Sequence, residues 1–208
     1  MASRWEHATL AYVVQHIDPA AVGGKAIRSV GLDPRLFDGK PESHGAAAHE
    51  LRGVYELLAK SARDAGRLAE GEPLVRQWAL AWDVYSPKLK RFIEVDEHQH
   101  FSRPRLGRLE ANRTAPWAPV YSAYFWEETF PRLVDKPKHD QDPPHRDEQR
   151  AYRDELRDRL PALYGLGQTI RIDEFTLKAD GQESLSQLIA QADNHTESGP
   201  VSGWGRSR

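Results

Sequence analysis

Apolar positions along the chain alternate between helical spacing and dense, strand-like runs. Leu10, Val13, Val14 and Ile17 fall on one side of a helix over residues 5–17, which Asp18-Pro19 stops. A short second helix is expected over 19–30. Residues 31–45 carry Gly31, Asp33-Pro34, Asp38-Gly39 and Pro41 and read as loop. Leu51, Val54, Leu57, Leu58, Ala62 and Ala65 then predict a helix over 46–69, with Gly53 a weak point worth about 1 kcal/mol relative to Ala. Val75–Tyr85 is dense in aromatic and aliphatic residues and predicts a strand. Ser86-Pro87-Lys88 supplies a turn, and Arg91–Gln99 a second strand, so the two make a hairpin.

The second half is less regular. Residues 102–145 are rich in proline and lack clean periodicity, apart from an aromatic cluster of Trp117, Tyr121, Tyr124, Phe125 and Trp126. Such a cluster is more commonly core than a platform for stacking on bases. Residues 135–145 read as an exposed loop. Tyr152, Leu156, Leu160 and Leu163 form the apolar stripe of a helix over 146–160, ended by Pro161 and Gly165. Gln168–Ile172 reads as a strand, 183–192 as a last amphipathic helix, and 194–208 as a disordered tail. The pattern divides the chain into an N-terminal helical addition (1–45), a core (46–193) with an insert at about 102–145, and the tail.

Composition narrows the chemistry. With no cysteine, disulfides, thiolate zinc sites and a cysteine nucleophile are excluded. No apolar run approaches the roughly 20 residues that cross a bilayer, and the N-terminus lacks the layout of a signal peptide. The expectation is a cytoplasmic protein without a membrane partner. A net charge of −2 argues against indiscriminate attraction to nucleic acid, so any such surface must be local.

Candidate chemistry concentrates in the hairpin. On a strand, Phe92, Glu94, Asp96 and His98 share one face, while Ile93 and Val95 share the other. Carboxylates two residues apart repel one another, and burial raises the cost. A divalent cation relieves that repulsion, and the short turn can bring Asp83 alongside Glu94. Carboxylate oxygens are the ligands Mg²⁺ prefers. His98 and His100 can act as a base, as metal ligands or as donors to a phosphate. A zinc site formed by them with His139 or His145 is the alternative. A solvated edge strand is the plain explanation of the acids.

Asp83, the turn, and the run Phe92-Ile93-Glu94-Val95-Asp96-Glu97-His98-Gln99-His100-Phe101 resemble the PD-(D/E)XK nuclease superfamily, and within it the branch similar to very-short-patch-repair endonucleases. Asp147-Glu148-Gln149-Arg150 opening a helix, followed by the strand Thr169–Ile172, is similar to the closing half of that core. The resemblance implies an α/β fold of restriction-endonuclease-like type, a small mixed sheet flanked by helices. It implies Mg²⁺- or Mn²⁺-dependent hydrolysis of phosphodiester bonds, in DNA rather than RNA, by a homodimer or a chain with a partner subunit. Asp83 and Glu94 then match the metal-ligand acids, assisted by Asp96, with Gln99 or His100 positioning water or phosphate. Glu56 on the early helix is a further candidate ligand, although a surface glutamate is the commoner explanation. Arg103, Arg105 and Arg150 are candidate phosphate contacts. The chain departs from the pattern where Asp96 stands in place of the usual Lys, which helps to orient or deprotonate the attacking water. That departure leaves open a catalytically inactive nuclease-fold protein acting as a nucleic-acid- or partner-binding subunit. A metal-binding protein with no nucleic-acid role is a third reading.

Overall fold

In a computed structural model, which describes residues 3–135 and 143–197, a four-stranded mixed sheet is flanked by helices. The elements are α1 (Arg4–His16), β1 (Val22–Gly23), α2 (Ala48–Asp64), β2 (Val84–Ser86), β3 (Arg91–Asp96), α3 (Arg103–Ala111), α4 (Phe130–Asp135), α5 (Arg146–Leu163), β4 (Ile170–Asp173), α6 (Glu174–Asp180) and α7 (Glu183–Glu197). The strands lie in the order β1-β2-β3-β4, antiparallel except for the parallel pair β3 and β4. No helix among the described residues is long and apolar enough to cross a membrane.

Strand alternation divides the core. Val84, Ile93, Val95, Ile170 and Ile172 meet Val13 of α1 and Leu185 and Leu188 of α7 on one face. Tyr85 and Phe92 meet α2 and α5 on the other, where Trp82 stacks on Phe92 at 3.8 Å. In α2 the buried positions Leu51, Val54, Leu58 and Ala62 recur at helical spacing, so Gly53 falls on the outer side, where it displaces no core contact. Of the N-terminal stretch 1–45, the described residues enter this same architecture. Val13, Ile27, Leu36 and Phe37 lie in the two cores, and Val22–Gly23 is the sheet's edge strand. The short helix expected over 19–30 is this edge strand followed by a 3₁₀ turn, Gly24–Ser29.

Three elements differ from expectation for visible reasons. The strand expected over Val75–Tyr85 is confined to Val84–Ser86. Upstream, the backbone carbonyls are claimed individually: Gln77 by Arg153, Trp78 by Gly39 N, Leu80 by Arg28 and Ala81 by Arg157. With three of these acceptors taken by arginine side chains, backbone pairing here is limited to one isolated bridge between Asp38 and Ala79. The second strand stops at Asp96, and His98–His100 form a 3₁₀ turn, so His98 is not on the face shared by Glu94 and Asp96. The insert is more ordered than its prolines suggest. Pro104 sits in the first turn of α3, where its missing N–H costs nothing. Phe101, Leu106, Leu109, Tyr121 and Phe125 form a third core there. At the C-terminus, α7 extends to Glu197, so 194–197 are helical; 198–208 lie outside the described residues, as does His139 with 136–142.

Candidate functional site

The hairpin register places Val84 opposite Ile93, and one step further Asp83 opposite Glu94. Asp83 is the residue before β2, and the two carboxylates complete the ladder in place of backbone oxygens. Asp83 N donates to Glu94 Oε1 at 3.0 Å, and Val95 N donates to Asp83 Oδ2 at 2.9 Å. Burial pushes the Asp83 carboxyl up to about 6. Burial and then repulsion from Asp83 hold Glu94 well above the usual carboxylate range. Glu6 of α1 adds to the negative field on Asp83.

Helix α5 supplies the counter-charge. Arg157 donates through Nε to Ala81 O at 2.8 Å, and the same atom lies 3.4 Å from Glu94 Oε2. Its Nη1 donates to Asp154 Oδ1 at 2.8 Å. The other Asp154 oxygen is 3.0 Å from His100 Nδ1. Burial alone depresses the imidazole's pKa, but the Asp154 charge and hydrogen bond outweigh it and leave it raised. His100 also lies 3.7 Å from Asp96 Oδ1.

Asp96 is closed in. It accepts from the Tyr121 hydroxyl and from Arg171 Nη1 at 2.5 Å. Arg171 is fully buried on β4, where the parallel register sets it beside Glu94, and its Nε donates to Asp158 at 2.7 Å. Arg105 reaches Asp158 from α3 at 2.8 Å. From Asp83 to Arg105 the charged side chains thus form one continuous chain through Glu94, Arg157, Asp154, His100, Asp96, Arg171 and Asp158.

The expected residues are distributed unevenly around this chain. Asp83, Glu94, Asp96 and His100 belong to it. Gln99 is exposed, donating to Glu97 and accepting from Arg150 at 3.3 Å. Glu56 is exposed on α2 and shares no hydrogen bond or ion pair with Asp83 or Glu94. Arg103 is exposed at the start of α3 and Arg150 is half-buried. Arg105 is buried against Asp158, which removes it from the surface a phosphate would approach. His98 is held elsewhere: its backbone N–H and its Nδ1 both meet Glu174 Oε1, at 2.7 and 2.9 Å.

Sequence reasoning missed Arg157, Arg171, Asp154, Asp158 and Tyr121. The arginines and aspartates of α5 alternate along the sequence as ordinary helical ion pairs do, yet α5 is buried on nearly every side, including at Asp154, Glu155 and Asp158. The available signal was Arg171, a charge between two isoleucines in a run that otherwise reads as a buried strand. Among the described residues, no three or more His, Cys, Asp and Glu side chains are grouped so as to hold a metal ion. In comparisons with known proteins, the chain matches no family model, no curated protein and no solved structure.

Proposed function

We propose that the chain is a nucleic-acid-binding subunit on a restriction-endonuclease-like core whose acids are held by arginines instead of being offered to a metal ion. The observation that supports this is the state of the carboxylates. A hydrolytic Mg²⁺ site needs oxygens open to a hydrated ion. Asp96 is closed by Arg171 and Tyr121, and Glu94 lies between Asp83 N and Arg157. The cation missing at position 96 is supplied from β4 and α5, as a structural partner. Lys90 and Arg103 are exposed, make no ion pair among the described residues, and lie at opposite ends of β3 and its following turn, as two separate cations available to a backbone phosphate.

The test is a labelled DNA duplex titrated with the full chain by fluorescence anisotropy at several salt concentrations, beside plasmid cleavage with Mg²⁺ and with Mn²⁺. Salt-sensitive binding without cleavage is the expected result. Cleavage that disappears in Asp83→Ala and Glu94→Ala sinks this reading and establishes the second one, Mg²⁺-dependent phosphodiester hydrolysis. That second reading draws on one observation: Asp83 and Glu94 face each other, both raised by burial, and an ion held by these two would relieve that cost.

A further inference from the structure

Asp154 joins two cationic side chains that differ in sequence position and in element. One oxygen receives Arg157 Nη1 at 2.8 Å, and the other meets His100 Nδ1 at 3.0 Å. Asp154 itself is buried, but its partners are not closed off: the Arg157 side chain is 16% exposed and that of His100 24%. Arg157 Nη2 and His100 Nε2 carry no hydrogen bond among the described residues. One buried carboxylate therefore fixes a guanidinium and an imidazole beside each other, each with one nitrogen that no described group occupies; with Nδ1–H given to Asp154, the imidazole donates from Nε2 as the protonated ring. Arg157 is also braced by Ala81 O, which fixes the direction of its planar fork.

We propose that Arg157 and His100 together bind one phosphodiester oxygen pair of a nucleic-acid backbone, with Asp154 as the positioning residue that holds both. This rests on the nucleic-acid-binding reading above and names its phosphate contact. Fixed guanidinium and imidazole donors suit a phosphate because charge-assisted hydrogen bonds are short and directional, and a donor held in place loses little freedom on binding. Asp83, Glu94 and Asp96 face the same two side chains, so the site's field is partly cancelled, and geometry has to supply the contact that bulk charge does not.

Two measurements on the full chain test it. The first titrates wild type with dimethyl phosphate and follows the imidazole signals of His100 by NMR. A saturable shift at His100 that is lost in Arg157→Gln is expected; no shift overturns the proposal. The second measures duplex affinity against salt. His100→Gln and Arg157→Gln should each weaken binding and lower the slope of log K against log salt by about one. Asp154→Asn decides the role of Asp154. Removing a negative charge near DNA tightens binding if Asp154 merely repels the phosphate, and weakens it if Asp154 positions its two partners. Tighter binding, with circular dichroism confirming the fold, refutes the positioning role. His100→Gln lies on the most exposed member and keeps the test available if Asp154→Asn does not fold. Dimethyl phosphate binding without duplex binding would remove the nucleic-acid reading and leave the phosphate site standing. Duplex binding unaffected by either single variant would do the reverse.

Discussion

Asp83→Asn should stabilise the protein at pH 8 and leave it nearly unchanged at pH 4. The amide keeps an oxygen to accept from Val95 N, so the hairpin's hydrogen bond survives, while the charge facing Glu94 is removed. The Asp83 carboxyl is held at about 6 against an ordinary value of 3.8. That difference corresponds to about 3 kcal/mol. The sign follows from linkage. Between the two values the folded chain keeps a proton that the unfolded chain has released, so stability falls as pH rises through this window and stays lower above it. Asn carries no such penalty. Because Asp83 is only partly enclosed and Glu94 readjusts when its neighbour is neutralised, a gain of about 1–2 kcal/mol is the working expectation. Urea denaturation followed by fluorescence of the six tryptophans, at pH 4 and pH 8, measures it. His100 titrates in both proteins and largely cancels in the difference. A pH-independent difference, or a variant less stable than wild type at pH 8, refutes the idea that burial makes an ionised Asp83 costly.

Arg171→Met leaves Asp96 and Asp158 buried without their shared cation and should cost about 3–5 kcal/mol in the same denaturation assay; a cost under 1 kcal/mol would mean that water or relaxation replaces it. At Gly39, an added Cβ lies 2.8 Å from Trp78 O, and Gly39 N already donates to that oxygen at 2.6 Å, so Gly39→Ala should lower stability by about 1–3 kcal/mol. His44 is buried between the Tyr164 hydroxyl and Asp38 O, and burial lowers its pKa. Its contribution is therefore present above pH 6.5 and lost as pH falls, so the gap between wild type and His44→Gln should narrow on acidification; a constant gap points to packing alone.

The hairpin turn, the strand at β4, and helices α1, α2, α5 and α7 were legible because each carries a run or stripe of apolar residues. What was not legible came from side chains acting in place of the backbone. The carbonyls of Gln77, Leu80 and Ala81 look, in sequence, like those of any apolar strand, and nothing local announces that Arg153, Arg28 and Arg157 will take them. The site was half visible for the same reason. Asp83 and Glu94 are close in sequence and paired by register, so the turn alone brings them together. Arg157 and Arg171 reach Glu94 and Asp96 only after α5 has packed across the sheet and β4 has docked parallel to β3. Glu56, by contrast, lies one residue before exposed Leu57, on the face of α2 opposite the buried stripe.

Charge balance connects the two functional readings and gives them a common test. The chain of contacts from Asp83 to Arg105 contains five carboxylates, against Arg157, Arg171, Arg105 and His100. With His100 protonated, one negative charge is in excess, and it falls on Asp83 and Glu94, which face each other and are both raised by burial, whereas Asp158 is met by two arginines. A proton retained on that pair would neutralise it and leave the arginines as structural partners. The same proton must leave if a divalent cation is to bind there. Mg²⁺ binding at Asp83 and Glu94 would therefore release a proton near pH 6, and calorimetry in buffers of different ionisation enthalpy would read it as a buffer-dependent heat. The nucleic-acid-binding reading expects no such heat from Mg²⁺. A buffer-dependent Mg²⁺ heat that vanishes in Asp83→Asn would transfer the pair from structural acid to metal ligand.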